Sequence, residues 1–284
     1  FILSLPLVMN QFNFSLNTES FLSLLGLATI NLGLAQSYFS DPNIHFSYNG
    51  VSWSISTEMF FYTVFPFLLY VLRKMFQKLR ATHFIIMAAC IWISLFVYLT
   101  NISNTPDPWF DYVFPIMRLP DFTVGMLAGV VFLKMQGAES RLSSDNRKLL
   151  FSILEIAVTI TLFFMMKNMP NVHESLKFGA YLLPLWFLIV LIFAFQAGIL
   201  SKILLLKPFI SLGGISLAFY MSHQLVLRYA GWIGIQHKTI VSLIVSLAIS
   251  VMLYRFIELR AQNTIRSGFS KLQNRLTMVQ DSQK

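Results

Sequence analysis

Residues 53–72 read WSISTEMFFYTVFPFLLYVL, a stretch whose only charge is Glu58. As a helix rising 1.5 Å per residue it covers about 30 Å, the thickness of a bilayer's hydrocarbon core. Arg73 and Lys74 follow at once, and the next apolar run, FIIMAACIWISLFVYL, fills residues 84–99. The same alternation of long apolar run and short polar break continues through the chain. Composition agrees: 56% of the 284 residues are hydrophobic, 12% are charged, and mean hydropathy is +0.67. Ordinary soluble domains carry about 25% charge, and 28 phenylalanines would overfill a single aqueous core of this size. The expected fold is an all-α polytopic transmembrane helix bundle. Eight complete spans are predicted, at about 20–39, 53–72, 82–99, 112–133, 148–166, 178–195, 209–230 and 239–258. Residues 1–9, FILSLPLVM, are too short to cross and predict a partial span whose beginning lies upstream.

The charges lie in the breaks. Fifteen basic residues fall on one side if eight spans alternate: Arg73, Lys74, Lys78 and Arg80; Lys134, Arg141, Arg147 and Lys148; Lys202 and Lys207; and five in the tail after the last span. Only Lys167, Lys177 and Lys238 fall on the other. The positive-inside rule makes the richer side cytoplasmic. This divides the chain into a transmembrane domain, 1–259, and a basic cytoplasmic tail, 260–284, that lies against anionic lipid or is disordered. The net charge of +9 does not indicate nucleic acid, since the basic residues form no stripe interleaved with aromatics. No Walker A, G-x-G-x-x-G, H-E-x-x-H or Cys/His cluster is present, so no metal is expected, and the lone Cys90 has no internal partner for a disulfide.

Charges inside spans are costly and tend to face the protein interior or a wet cavity. Glu58, Arg118, Asp121 and His223 all fall about 7–14 Å in from one side at helical rise, so one polar cavity could hold them. Trp53, Ser54 and Tyr62 accompany Glu58, and Tyr220 precedes His223 by one turn. Glu155 lies towards the other side and stands apart. Structural readings stand beside these: Arg118 and Asp121 as counter-ions, His223 as a helix contact, Trp53 as an interface anchor. Gly125, Gly129, Gly213 and Gly214 read as close-packing sites. From the residues alone a transporter of a polar or anionic solute and a membrane enzyme both remain open, the enzyme slightly preferred because no internal repeat is visible.

Four segments decide more. SWSISTEMFFYTVFP at 52–66, RLPDFTVGMLAGVVF at 118–132, ISLAFYMSHQLVL at 215–227 and RFIELR at 255–260 resemble, in order, the motifs of the acyltransferase 3 family. Its members are integral-membrane O-acyltransferases of surface and exported glycans. Met59 and Phe60 replace a second acidic residue common after the first motif, Gln224 an aromatic, and Arg260 a proline. The resemblance implies an N-terminally truncated member lacking its first one to two helices, with the family's catalytic histidine upstream and His223 not its substitute. It implies acyl-coenzyme A, with acetyl expected, as donor substrate and no bound cofactor. A glycan or lipid-linked sugar is implied as acceptor, and membrane lipids surround the protein in a bacterial inner membrane. Glu58, Arg118 and Asp121 would then be catalytic, and Trp53, Ser54, Tyr62, Tyr220 and His223 would bind substrate.

Overall fold

The computed structural model describes residues 4–11, 18–101, 107–136, 143–177 and 179–281. Arg141 and residues 1–3 of the predicted partial span lie outside them. In chain order the helices are α1 (Leu5–Gln11), α2 (Thr18–Leu32), α3 (Pro42–His45), α4 (Trp53–Lys78), α5 (Ala81–Asn101), α6 (Pro115–Met135) and α7 (Ser144–Asn168). They continue as α8 (Glu174–Lys177), α9 (Leu183–Ala194), α10 (Ile199–Leu204), α11 (Lys207–Trp232), α12 (Lys238–Leu253) and α13 (Leu259–Asp281). A π-helical turn, Trp109–Val113, leads into α6, and another, Tyr254–Glu258, joins α12 to α13.

Six stretches are long and apolar enough to cross a bilayer: Trp53–Lys78, Ala81–Asn101, Trp109–Met135, Ser144–Asn171, Lys207–Trp232 and Lys238–Ser270. The prediction of eight complete spans plus a partial one is therefore wrong among the described residues. Large apolar side chains such as Phe67 and Phe163 stand open on these helices, as they do where lipid is the solvent. The protein is a polytopic membrane protein.

The two lost spans fail for a local reason that hydropathy does not register. The first predicted span ends at Leu32 because Leu34 turns left-handed, φ 53°. Ala35 N then donates to Ile30 O (3.0 Å) and Leu34 N to Asn31 O (3.1 Å), a Schellman termination. The sixth falls short at its start: residues 179–182 are turns and α9 opens only at Leu183, with a proline in its first turn, so that twelve helical residues remain; beyond its end Gln196, φ 51°, separates α9 from α10. An intramembrane break needs partners for the freed backbone groups, and α7 supplies them. Glu155 is fully buried and accepts from Gly198 N (3.0 Å), Ser201 N (3.1 Å) and Ser201 Oγ (2.5 Å). Ser152 Oγ accepts from Ile199 N (3.1 Å). The start of α10 is thus capped by a carboxylate from another helix.

Two compact units form: Asn13–Leu206, and Phe1–Phe12 with Lys207–Lys284. In the first, α6 packs against α4, α5 and α9. Phe84, Ala88 and Leu95 of α5 meet Val124, Leu127, Ala128 and Val131 of α6 and Leu183 and Phe187 of α9 in one core. Small residues at this contact let backbones approach. The α9 helix begins beside the start of α6, and Phe195 at its end packs on Phe132 and Phe151, both at 4.9 Å. The chain thus returns towards the other end of α6 as a broken pair of helices. In the second unit α11 and α12 are antiparallel neighbours, with buried Ser242, Ser246 and Ser250 along α12 and a Ser222 Oγ to Ser250 Oγ contact of 3.3 Å. Of the four glycines expected at close contacts, only Gly214 is at one, where an added Cβ would stand 3.0 Å from the Tyr254 ring. A Cβ at Gly125, Gly129 or Gly213 would meet nothing within 4 Å.

Candidate active site

The site is built at the ends of α4 and α6 that the loops 36–52 and 107–114 join. Serines of the first motif serve this junction. Ser56, fully buried, donates to Leu34 O (2.6 Å) and so accepts from Ser37 Oγ (2.6 Å). Ser54 Oγ donates back to Val51 O (2.9 Å). Gln36 Nε2 donates to Ser52 O (2.9 Å) and Trp109 Nε1 to Ser37 O (3.1 Å). Thr57 Oγ1 donates to Val113 O (3.3 Å), and Phe61 stacks on Phe122 at 4.8 Å, one residue beyond Asp121.

Pro115, whose φ suits a first helical position, opens α6. One turn later Arg118 Nη2 lies 3.0 Å from Asp121 Oδ2, a pair on one helix face. The guanidinium stands over the Tyr112 ring at 5.3 Å, and Trp53 meets that ring edge-on at 4.8 Å. A cation over an aromatic face contributes roughly 0.5–2 kcal/mol, the more when desolvated. Trp53, Tyr112, Arg118 and Asp121 therefore form one connected row. Gly179 closes it, since an added Cβ there would come within 3.2 Å of Arg118 Nη1 and 3.5 Å of Asp121 Oδ1.

A cavity of about 390 Å³ opens on this row between α6 and α9. Tyr112, Arg118, Asp121, Lys177 and Gly179 line its polar end, and Val124, Gly125, Trp186 and Val190 are among the residues lining the rest. The Asp121 Oδ2 atom is shut off from solvent and accepts no hydrogen bond from a described residue; the ion pair with Arg118 is its contact. Glu58 does not line the cavity. It is half-buried and accepts from Tyr62 Oη at 3.4 Å, one turn along α4. Tyr220 and His223 lie on α11, in the other unit. His223 Nδ1 is 2.6 Å from Tyr220 O. A carbonyl only accepts, so the ring proton sits on Nδ1 and Nε2 is left to accept.

A family model described as an acyltransferase domain matches residues 1–255. The chain belongs to the acyltransferase 3 family. No curated protein and no solved structure matches it. As a membrane acyltransferase it needs no transporter reading, and the charged row on α6 falls within its family match. Sequence reasoning singled out Arg118 and Asp121 because charges stand out in an apolar run. It missed Tyr112, Lys177, Gly179 and Trp186 as a group, since only the fold brings the loop after α7 against α6. The one signal available was that Lys177 is among the few basic residues on its side of the bundle.

Proposed function

We propose that the protein moves an acyl group, acetyl, from acyl-coenzyme A to a sugar hydroxyl of a surface or exported glycan. The observation that carries the assignment of residues is the Arg118–Asp121 pair, 3.0 Å apart, with both residues lining a cavity of about 390 Å³. A hydroxyl entering there donates to Asp121 and is held in one orientation. Arg118 beside it meets the oxygen that gains negative charge as the carbonyl is attacked. The acceptor oxygen bonds to the thioester carbon, the carbon–sulfur bond breaks, and the thiol leaves with the hydroxyl's proton.

The resemblance assigns the proton-abstracting base to a histidine of an upstream helix. Glu58, with Tyr62, then orients that imidazole or holds further acceptor hydroxyls. Trp53, whose ring meets Tyr112, and Ser54 are proposed to contact substrate from α4. The basic breaks after α4 and α6, and separately the basic tail, support a cytoplasmic side for each, with the donor, in a bacterial inner membrane. Acetyl-CoA labelled in the acetyl group, supplied to membranes holding the gene's full product with a glycan acceptor, tests this. Label should appear on the glycan and be released by mild alkali, as an ester is. Label that resists alkali, or none, contradicts O-acylation.

A further inference from the structure

We propose that the cleft at the end of α7, against the turn that precedes α9, binds a sugar bearing a carboxylate. The anion sits at Lys167 and the ring hydroxyls at Asn168, Asn171 and Tyr181. This rests on the acyltransferase assignment and deepens it: the acceptor glycan is acidic, and this cleft holds the sugar next to the one that is acylated.

The cleft measures about 510 Å³, within the range of small-molecule pockets, and Lys167, Asn168, Asn171 and Tyr181 line it together with Phe164 and Met165. Its polar groups are rich in donors. Arg118 and Lys177 each have a carboxylate partner, whereas Lys167 has none among the described residues. Asn171 Nδ2 donates to Asn168 Oδ1 (3.0 Å), which spends the acceptor of one amide and leaves its N–H groups free. Tyr181 Oη bonds to no described residue. One cation, amide N–H groups and a phenol fit a ligand with one negative charge and several oxygens. A phosphate monoester carries nearly two charges, more than one ammonium matches. Sugar hydroxyls also donate, which serves Asn171 Oδ1, and the Phe164 ring, 60% exposed, offers an apolar face to the C–H side of a ring.

The cleft also stands in the right place. Tyr181 belongs to the turn at 179–182, and the same turn presents Gly179 to Arg118 and Asp121. Two residues of chain reach at most about 7 Å, so the cleft and the Arg118–Asp121 cavity lie on either side of one turn. That turn is pinned: Trp92 Nε1 donates to Ala180 O (2.8 Å) and Tyr181 N to Leu176 O (3.1 Å). A glycan of two or more sugars can lie across it, one ring at Asp121 and its neighbour at Lys167.

The test is binding, which needs no acyl transfer. The gene's full product in detergent micelles is titrated with digalacturonate, and with its dimethyl ester, which keeps the rings and loses the charges. Saturation-transfer NMR reads each affinity, with inorganic phosphate as competitor. An exposed ion pair corresponds to about fivefold in affinity, so the acid should bind about fivefold more tightly than the ester, and phosphate should compete poorly. Lys167→Gln should abolish the difference, Lys167→Arg should keep it, and Asn168→Ala should weaken acid and ester alike. Both side chains are exposed, so these changes leave the packing intact. Equal binding of acid and ester overturns the proposal, as does a preference that survives Lys167→Gln. A Lys167→Gln variant that binds the sugar as before but loses phosphatidylglycerol in native mass spectra also overturns it, making Lys167 a lipid-headgroup anchor. Acetyl transfer to a neutral glycan without any preference for the acid would overturn it and leave the acyltransferase assignment standing. Lys167-dependent binding of the acid without acetyl transfer would support the site and count against that assignment.

Discussion

Glu155→Gln exchanges one carboxylate oxygen for an amide nitrogen in a side chain that has no solvent exposure. The carboxylate takes three donors: Gly198 N and Ser201 Oγ on Oε1, and Ser201 N on Oε2. Glutamine can keep its oxygen at the Oε1 position, which leaves its amide nitrogen facing Ser201 N. One hydrogen bond is then lost between two buried N–H groups, at roughly 1–3 kcal/mol, and the other two fall from charged to neutral strength. The start of α10 also loses a negative charge, worth about 0.3–1 kcal/mol or somewhat more when buried. Relief from burying a neutral amide instead of a charge offsets part of this. The net expectation is a loss of about 2–3 kcal/mol, or roughly 3–5 °C in Tm for a chain of this length. Thermal unfolding of the purified protein in detergent, followed by tryptophan emission, measures it. A Tm within 1 °C of the parent would refute the reasoning, because Glu155 would then not hold the break between α9 and α10.

Other expectations follow from packing and topology. Gly213→Ala should leave stability unchanged or raise it by up to about 1 kcal/mol, since the site is an open helical position. Gly214→Ala should lower it by about 1 kcal/mol or more, since the added carbon presses on Tyr254; the two melting curves, compared side by side, check this. A cysteine at exposed Ser144, in a Cys90→Ser background, should react with an impermeant maleimide only after the membrane is opened. Labelling of intact cells at Ser144 would reverse the orientation.

The stretches that were legible are those where apolar character is continuous. Residues 53–72 became α4, and six of the eight predicted stretches lie in helices able to cross. The others turn on local backbone conformation. Leu34 adopts positive φ, and the sixth stretch loses its start to turns at 179–182, where Ala180, Tyr181 and Leu182 keep the sequence apolar. Glu155 was visible as a charge in a span, yet its role depends on a helix start some forty residues later. In the site, Arg118 and Asp121 could be read because one turn separates them. Tyr112 and Trp186 could not, as aromatics are ordinary at span ends, and the cavity exists only through the packing of α9 on α6.

The central claim is that Arg118 takes part in acyl transfer and is more than a counter-ion for Asp121. Arg118→Lys keeps the charge and loses the planar fork. The measurement is the initial rate of acetyl transfer to glycan in membranes holding the gene's full product, normalised to the amount of inserted protein. A fall of about 10²-fold, the scale of a lost transition-state donor, is expected at unchanged membrane levels. A lysine variant with near-normal transfer would contradict it and make the Trp53–Tyr112–Arg118–Asp121 row a packing network.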